Sequence, residues 1–247
     1  MSKIRVTIWN EFIHERTAEH VKAIYPNGMH ELLKEKLASD DLEIKTVSLD
    51  MEENGLPQEV LDNTDVLIWW GHAAHDAVKN EVAERVVHRV NDGMGLICLH
   101  SSHMSKVFRW LLGTEGSLKW RYKGEKCRVW TVMPNHPIAQ GVPENFVLDS
   151  EEMYGEPFGI PTPDELVFIT WYEGGEVFRS GCTFYRGQGK MFYFQPGHEE
   201  SPSYHNENVI KVISNAIRWA YNPNQKNYHC YYSDELEKLD SDVTCNL

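Results

Sequence analysis

Two His-x-x-His pairs, His72-Ala73-Ala74-His75 and His100-Ser101-Ser102-His103, each follow an apolar run within a few residues. Neutral imidazole is a common zinc ligand, and a catalytic zinc keeps one coordination position open. His72, His75 and His103, with His100 or Glu199 as further ligands, therefore form a candidate set for a divalent metal, with zinc the best chemical match. Glu152 or Glu199 offers a carboxylate to the same shell. The spacing lacks the glutamate of the His-Glu-x-x-His protease helix. A histidine after a strand also serves as a hydrogen-bonding residue that caps the next helix, and that reading stands for each ring alone. The sequence does not select which subset would hold an ion.

Other chemistry lies close by. Ser101 and Ser102 follow the run Leu96-Ile97-Cys98-Leu99, the place where α/β hydrolases set a nucleophile on a sharp turn. That turn demands small flanking residues, whereas Leu99, His100, His103 and Met104 are bulky. Helix N-capping is the plainer role for these serines. Cys98 reads as a small buried hydrophobe. Asp149-Ser150-Glu151-Glu152-Met153-Tyr154 is either a solvated acidic loop or the source of a general acid or base. Trp69, Trp70, Trp110, Trp120, Trp130 and Trp171 are attributed mainly to core packing, with one or two free to stack on a sugar ring.

The elements that position these groups follow from the apolar pattern. Ile4 to Trp9, Val66 to Trp70 and Leu96 to Leu99 read as strands, and Leu42 to Leu49 alternates as a strand nearer an edge. Helices are expected at Met29 to Leu37, Pro57 to Leu61 and Asp76 to Val90. Asn10 to Tyr25 reads as a long polar loop. This alternation specifies a doubly wound sheet with right-handed crossovers. The second half adds strands at Cys127 to Met133, Phe146 to Leu148, Leu166 to Trp171, Cys182 to Arg186 and Lys190 to Gln195. A helix follows at Asn208 to Ala220. Ligands of such sheets gather beyond the carboxyl ends of the strands. Parallel strands would bring Asn10, Glu11, His14, the two histidine pairs and His198-Glu199-Glu200 to one rim.

The chain has 247 residues, 37 acidic and 24 basic, with a formal net charge of -13. That charge argues against nucleic acid and anionic membrane as partners. No stretch reaches the roughly 18 apolar residues of a membrane helix. Five cysteines without Cys-x-x-Cys spacing fit a reducing, cytoplasmic setting. Residues 1–221 are expected as one domain. Residues 222–247 form a polar tail that packs on the domain or a neighbouring subunit, with a helical turn or two at 233–239. The apolar helices suggest self-association.

In order and spacing, GLICLHSS (95–102), HPIAQGV (136–142), EEMYG (151–155), VFITW (167–171) and GKMFYFQPGHE (189–199) resemble the ThuA-like, or trehalose-utilisation, family. The fold of that family is similar to the class I glutamine amidotransferase domain. The resemblance implies a flavodoxin-like three-layer α/β domain with a mostly parallel sheet. It implies a site of His100, Glu152, Tyr154 and His198, and a role in the catabolism of trehalose or a related or oxidised sugar. Where an amidotransferase carries its cysteine nucleophile, this chain has His100-Ser101, so glutamine hydrolysis is not implied. A metal-assisted lyase, isomerase or hydrolase and a non-catalytic sugar-binding protein both remain open.

Overall fold

Apolar runs bounded by polar turns build the centre of the sheet. The computed structural model describes residues 3–225 and 232–237. β1 (Ile4–Asn10), β2 (Leu42–Ser48), β3 (Val66–Trp70), β4 (Gly95–Leu99) and β9 (Gly189–Phe194) lie side by side in the order β2-β1-β3-β4-β9, all parallel. β3 and β4 are buried along their whole length, as expected of strands covered on both faces. Four antiparallel strands extend the sheet: β8 (Val177–Arg186), β7 (Glu165–Tyr172), β5 (Lys119–Thr131) and β6 (Asn145–Gly155). The result is the expected doubly wound α/β fold, with an antiparallel wing on one side.

Two helix layers cover the parallel half. α3 (Met29–Leu37) and α7 (Glu207–Ala220) touch each other over β1, β2, β4 and β9. α4 (Gln58–Asp62), α5 (Asn80–Asn91) and α6 (Lys106–Leu112) make up the other layer. α7 buries Val209, Val212, Ile213, Ala216, Ile217 and Ala220, the face its periodicity predicts. That face is spent inside the fold.

The expected loop Asn10 to Tyr25 contains two short helices, α1 (His14–Thr17) and α2 (Glu19–Ile24). The helix expected from Asp76 starts at Asn80, because His75–Ala77 forms a separate 3-10 turn and Lys79 stands extended before α5. α6 was not foreseen, and its N-cap is Ser105, which accepts from Phe108 N. Ser101 and Ser102 cap no helix. The strand expected at Cys127 begins at Lys119. Asp149 to Glu152 is not a solvated loop but part of β6, with Glu151 and Glu152 buried. Asn222 to Gln225 return to the domain, where Arg89 donates to Gln225 Oε1 at 3.0 Å. Residues 232–237 contain no helical turn, and the rest of the expected turn, with Tyr228 and Tyr231, lies outside the described residues. No helix among the described residues is long and apolar enough to cross a membrane. Cys98, Cys127 and Cys182 are free and buried.

Candidate functional site

The parallel register aligns the carboxyl ends of β1, β3, β4 and β9, since Asn10 pairs with Trp70, Trp70 with Leu99 and Leu99 with Phe194. The residues that follow therefore share one rim. The rings of His72, His100 and His198 lie 5.2 to 5.9 Å apart, centroid to centroid, and His14 is 5.5 Å from His72.

His100 occupies the turn after β4 with φ +50, a conformation L residues seldom adopt. The strained elbow thus carries an imidazole, and the serines sit beyond it. His100 Nδ1 is 3.0 Å from Gln195 O, and Nε2 is 3.1 Å from Glu152 Oε2. Both nitrogens face acceptors, which calls for the imidazolium. Burial opposes charge on this ring, but the hydrogen bond and charge of Glu152 outweigh it and raise the pKa. Burial likewise pushes the Glu152 carboxyl up, yet His100, His198 and His72 hold it below its ordinary value. Tyr154 stacks on His100, with its Oη 2.9 Å from Ser101 Oγ and 3.4 Å from His100 Nε2.

Two further buried carboxylates act as clamps. Glu11 accepts from the backbone N–H groups of His72, Ala73 and Ala74 at 2.8 to 3.0 Å, which fixes the loop that carries His72. Glu151 accepts from the N–H groups of Glu152, Gly197 and His198 and from Ser203 Oγ. Burial raises its pKa, an effect opposed by the charge of His100 and by these donors. Gly197, at φ +133, fits only without a side chain, because a Cβ would collide with the Tyr204 hydroxyl. Trp70 Nε1 donates to Gly197 O at 2.9 Å. The turn bearing His198 is thus held from both sides.

Glu199 Oε1 lies 2.7 Å from His72 Nδ1 and 2.8 Å from His14 Nδ1. Burial pushes Glu199 up, but the close approach of His14 and His72 holds it far below the usual carboxylate range. His198 Nδ1 accepts from Glu200 N at 3.1 Å, and its ring stacks on Tyr122 at 4.3 Å. Burial lowers the His198 pKa to about 4.

The metal set expected from spacing is not the one that converges. His72 joins clusters of potential ligand atoms with His14 and Glu199, and with Glu152 and His198; a third cluster joins His100, His198 and Glu199. His75 and His103 belong to none of them among the described residues. His103 donates through Nδ1 to Gly116 O at 2.7 Å, and burial lowers its pKa to about 3. Burial also lowers His75, to about 4.

Beside the rim opens a crevice of about 330 Å³, near the lower end for small-molecule sites. Its lining combines the polar side chains of His72, Ser101, His103, Ser117, Glu152 and Tyr154 with the apolar ones of Met104, Leu118 and Trp120. His100 is fully buried behind Glu152 and does not line this space. A hollow of about 570 Å³ beside α3, over Tyr25, Glu31 and His205, holds no comparable cluster of ligating side chains among the described residues. Of the six tryptophans attributed mainly to the core, only Trp69 and Trp70 are buried; Trp110, Trp120, Trp130 and Trp171 are exposed. Trp120 and Tyr122 lie in the first half of β5, ahead of the strand expected from Cys127. Their spacing of two, which sets both on one face of a strand, was the available signal.

A family model described as ThuA, trehalose utilisation, matches residues 5–220. A ThuA-like protein of Bacteroides uniformis superposes with a TM-score of 0.64 at 15% identity, covering 88% of this chain and 91% of that one. A cytoplasmic protein of Salmonella typhimurium gives 0.58 at 14%, covering 88% and 99%. A glutamine amidotransferase of Thermotoga maritima gives 0.50 at 13%, covering 89% and 98%. No curated protein matches the chain. At these identities the structural likenesses establish the fold.

Proposed function

The chain belongs to the ThuA family, and from that premise we propose that it is a cytoplasmic enzyme of sugar catabolism, acting on trehalose or a related or oxidised sugar. The observation that carries this reading is Glu152: a buried carboxylate, ionised by His100 behind it, in the lining of a crevice that also presents Met104, Leu118 and Trp120. A pyranose ring has the matching character, hydroxyls at its rim and C–H groups on its faces. Trp120 offers a stacking surface for those faces, and Ser101, Tyr154, His72 and His103 offer hydrogen-bonding groups. In this reading Glu152 accepts or shuttles a proton from a bound sugar, and His100 sets its charge. His198 contributes through the Glu152 and Glu199 charges it faces, at 3.9 and 3.6 Å. Cys98 lies inside β4 with its thiol pushed up by burial, so the thiolate chemistry of glutamine hydrolysis has no residue at the elbow.

The test is incubation of the purified chain with trehalose and with its keto derivatives in deuterated water, followed by NMR. Conversion or deuterium incorporation supports the enzyme. A sugar bound and returned unchanged overturns it in favour of a binding protein.

Two expectations attach to this reading. Trp120→Ala should weaken sugar binding five- to thirty-fold, about 1–2 kcal/mol, by removing part of the apolar lining; titration calorimetry measures it. Ser101 and Ser102 should stay unlabelled by a fluorophosphonate probe. The elbow belongs to His100, and Ser101 Oγ bonds Tyr154 rather than a base.

A further inference from the structure

We propose a divalent-cation site formed by His14 Nδ1, His72 Nδ1 and Glu199 Oε1, separate from the Glu152–His100 pair. Three clusters of potential ligand atoms exist among the described residues, and hydrogen bonding at the rings selects this one. The other two clusters both need His198. Its Nδ1 accepts a backbone N–H, so in the neutral ring the proton sits on Nε2 and blocks ligation there. One of the two also needs His100, whose nitrogens are already engaged by Gln195 O and Glu152.

No group outside the cluster engages Nδ1 of His14 or His72. Both rings bring Nδ1 close to one oxygen of Glu199, at 2.8 and 2.7 Å. His14 Nδ1 is buried and has no aligned hydrogen-bond partner, so its lone pair is free for an ion. The second oxygen, Glu199 Oε2, is buried and unpartnered. Donors around tetrahedral zinc stand roughly 3.3 Å apart, so each ring would withdraw by about 0.5 Å on binding. The side chains of His14 and His72 are 29% and 26% exposed, which leaves coordination positions open to solvent or substrate. Two imidazoles and one carboxylate suit zinc with an open position, and also other first-row divalent ions.

Of the set expected from spacing, His72, His75 and His103 with His100 or Glu199, this site keeps His72 and Glu199 and adds His14 from α1. Glu11 is a positioning residue here, because it fixes the backbone of residues 72–74.

The experiment is a zinc titration of the full chain with metal analysis, in the absence of any sugar, so its outcome is independent of the catabolic reading. One equivalent should bind. Affinity should fall at least about 100-fold in His14→Ala and His72→Ala and less than about threefold in His75→Ala and His103→Ala. Should an alanine variant fail to fold, X-ray absorption of the wild-type zinc form decides, with two imidazoles and one carboxylate expected. Absence of zinc binding by the wild type overturns the proposal. So does affinity unchanged in folded His14→Ala, or a shell with a single imidazole.

Discussion

Glutamine at position 152 is expected to lower sugar turnover by two to four orders of magnitude, the usual contribution of a positioned acid or base. Glu152 is the acidic group that faces the crevice, and glutamine keeps its shape while removing its charge and basicity. His100→Gln should act differently, because His100 reaches the substrate only through Glu152. Without the imidazolium, Glu152 loses the largest influence opposing its burial, and its pKa rises from the depressed value it has in the wild type. The acidic limb of the pH–rate profile should therefore move to higher pH, a shift that a merely structural role would not produce.

The same pair links pH to stability. Glu152 has a depressed pKa in the folded state, so its contribution is present above 4.5 and is lost as pH falls through the folded value. His100 has a raised pKa, so its contribution is complete below 6.5 and is lost as pH rises through the folded value. The pair is intact between those limits. In Glu152→Gln the His100 ring loses its partner and burial prevails, so NMR titration should find its pKa lower than in the wild type.

Alanine in place of Glu151 is expected to cost about 3–5 kcal/mol, a large part of the stability of an ordinary domain. The carboxylate collects three backbone N–H groups and a hydroxyl, all buried. Its removal leaves those donors without acceptors in a space closed to bulk water. Urea denaturation measures the loss, with exposed Glu173→Ala as a control that should stay within about 0.5 kcal/mol. A loss below about 1 kcal/mol for Glu151→Ala would show that the donors find other acceptors.

β3, β4, α3 and α7 were legible because burial leaves a direct trace, either an unbroken apolar run or a 3.6-residue stripe. β5 was not, since Lys119 to Lys126 is mostly exposed and its charges are satisfied laterally: Arg121 pairs with Glu125 and Glu176. The alternation of Trp120 and Tyr122 is the one short trace such a strand leaves. The rim of histidines could be read because strand ends are local features and parallel strands align them. The clamping roles of Glu11 and Glu151 could not, because each depends on partners about 45 to 60 residues away in the chain. The choice of His14 over His75 was hidden for the same reason. His75 belongs to the conspicuous motif, whereas His14 reaches Glu199 only because the parallel sheet brings the segments after β1 and β9 to one rim.

The last described strand, β9, lies in the middle of the sheet, between β4 and β8. A chain cut before residue 189 would therefore leave β4 without its neighbour on that side. His198 and Glu199 come immediately behind that strand. Closure of the sheet's centre and delivery of these two side chains to the rim are thus a single event, and truncation ahead of β9 should remove both together.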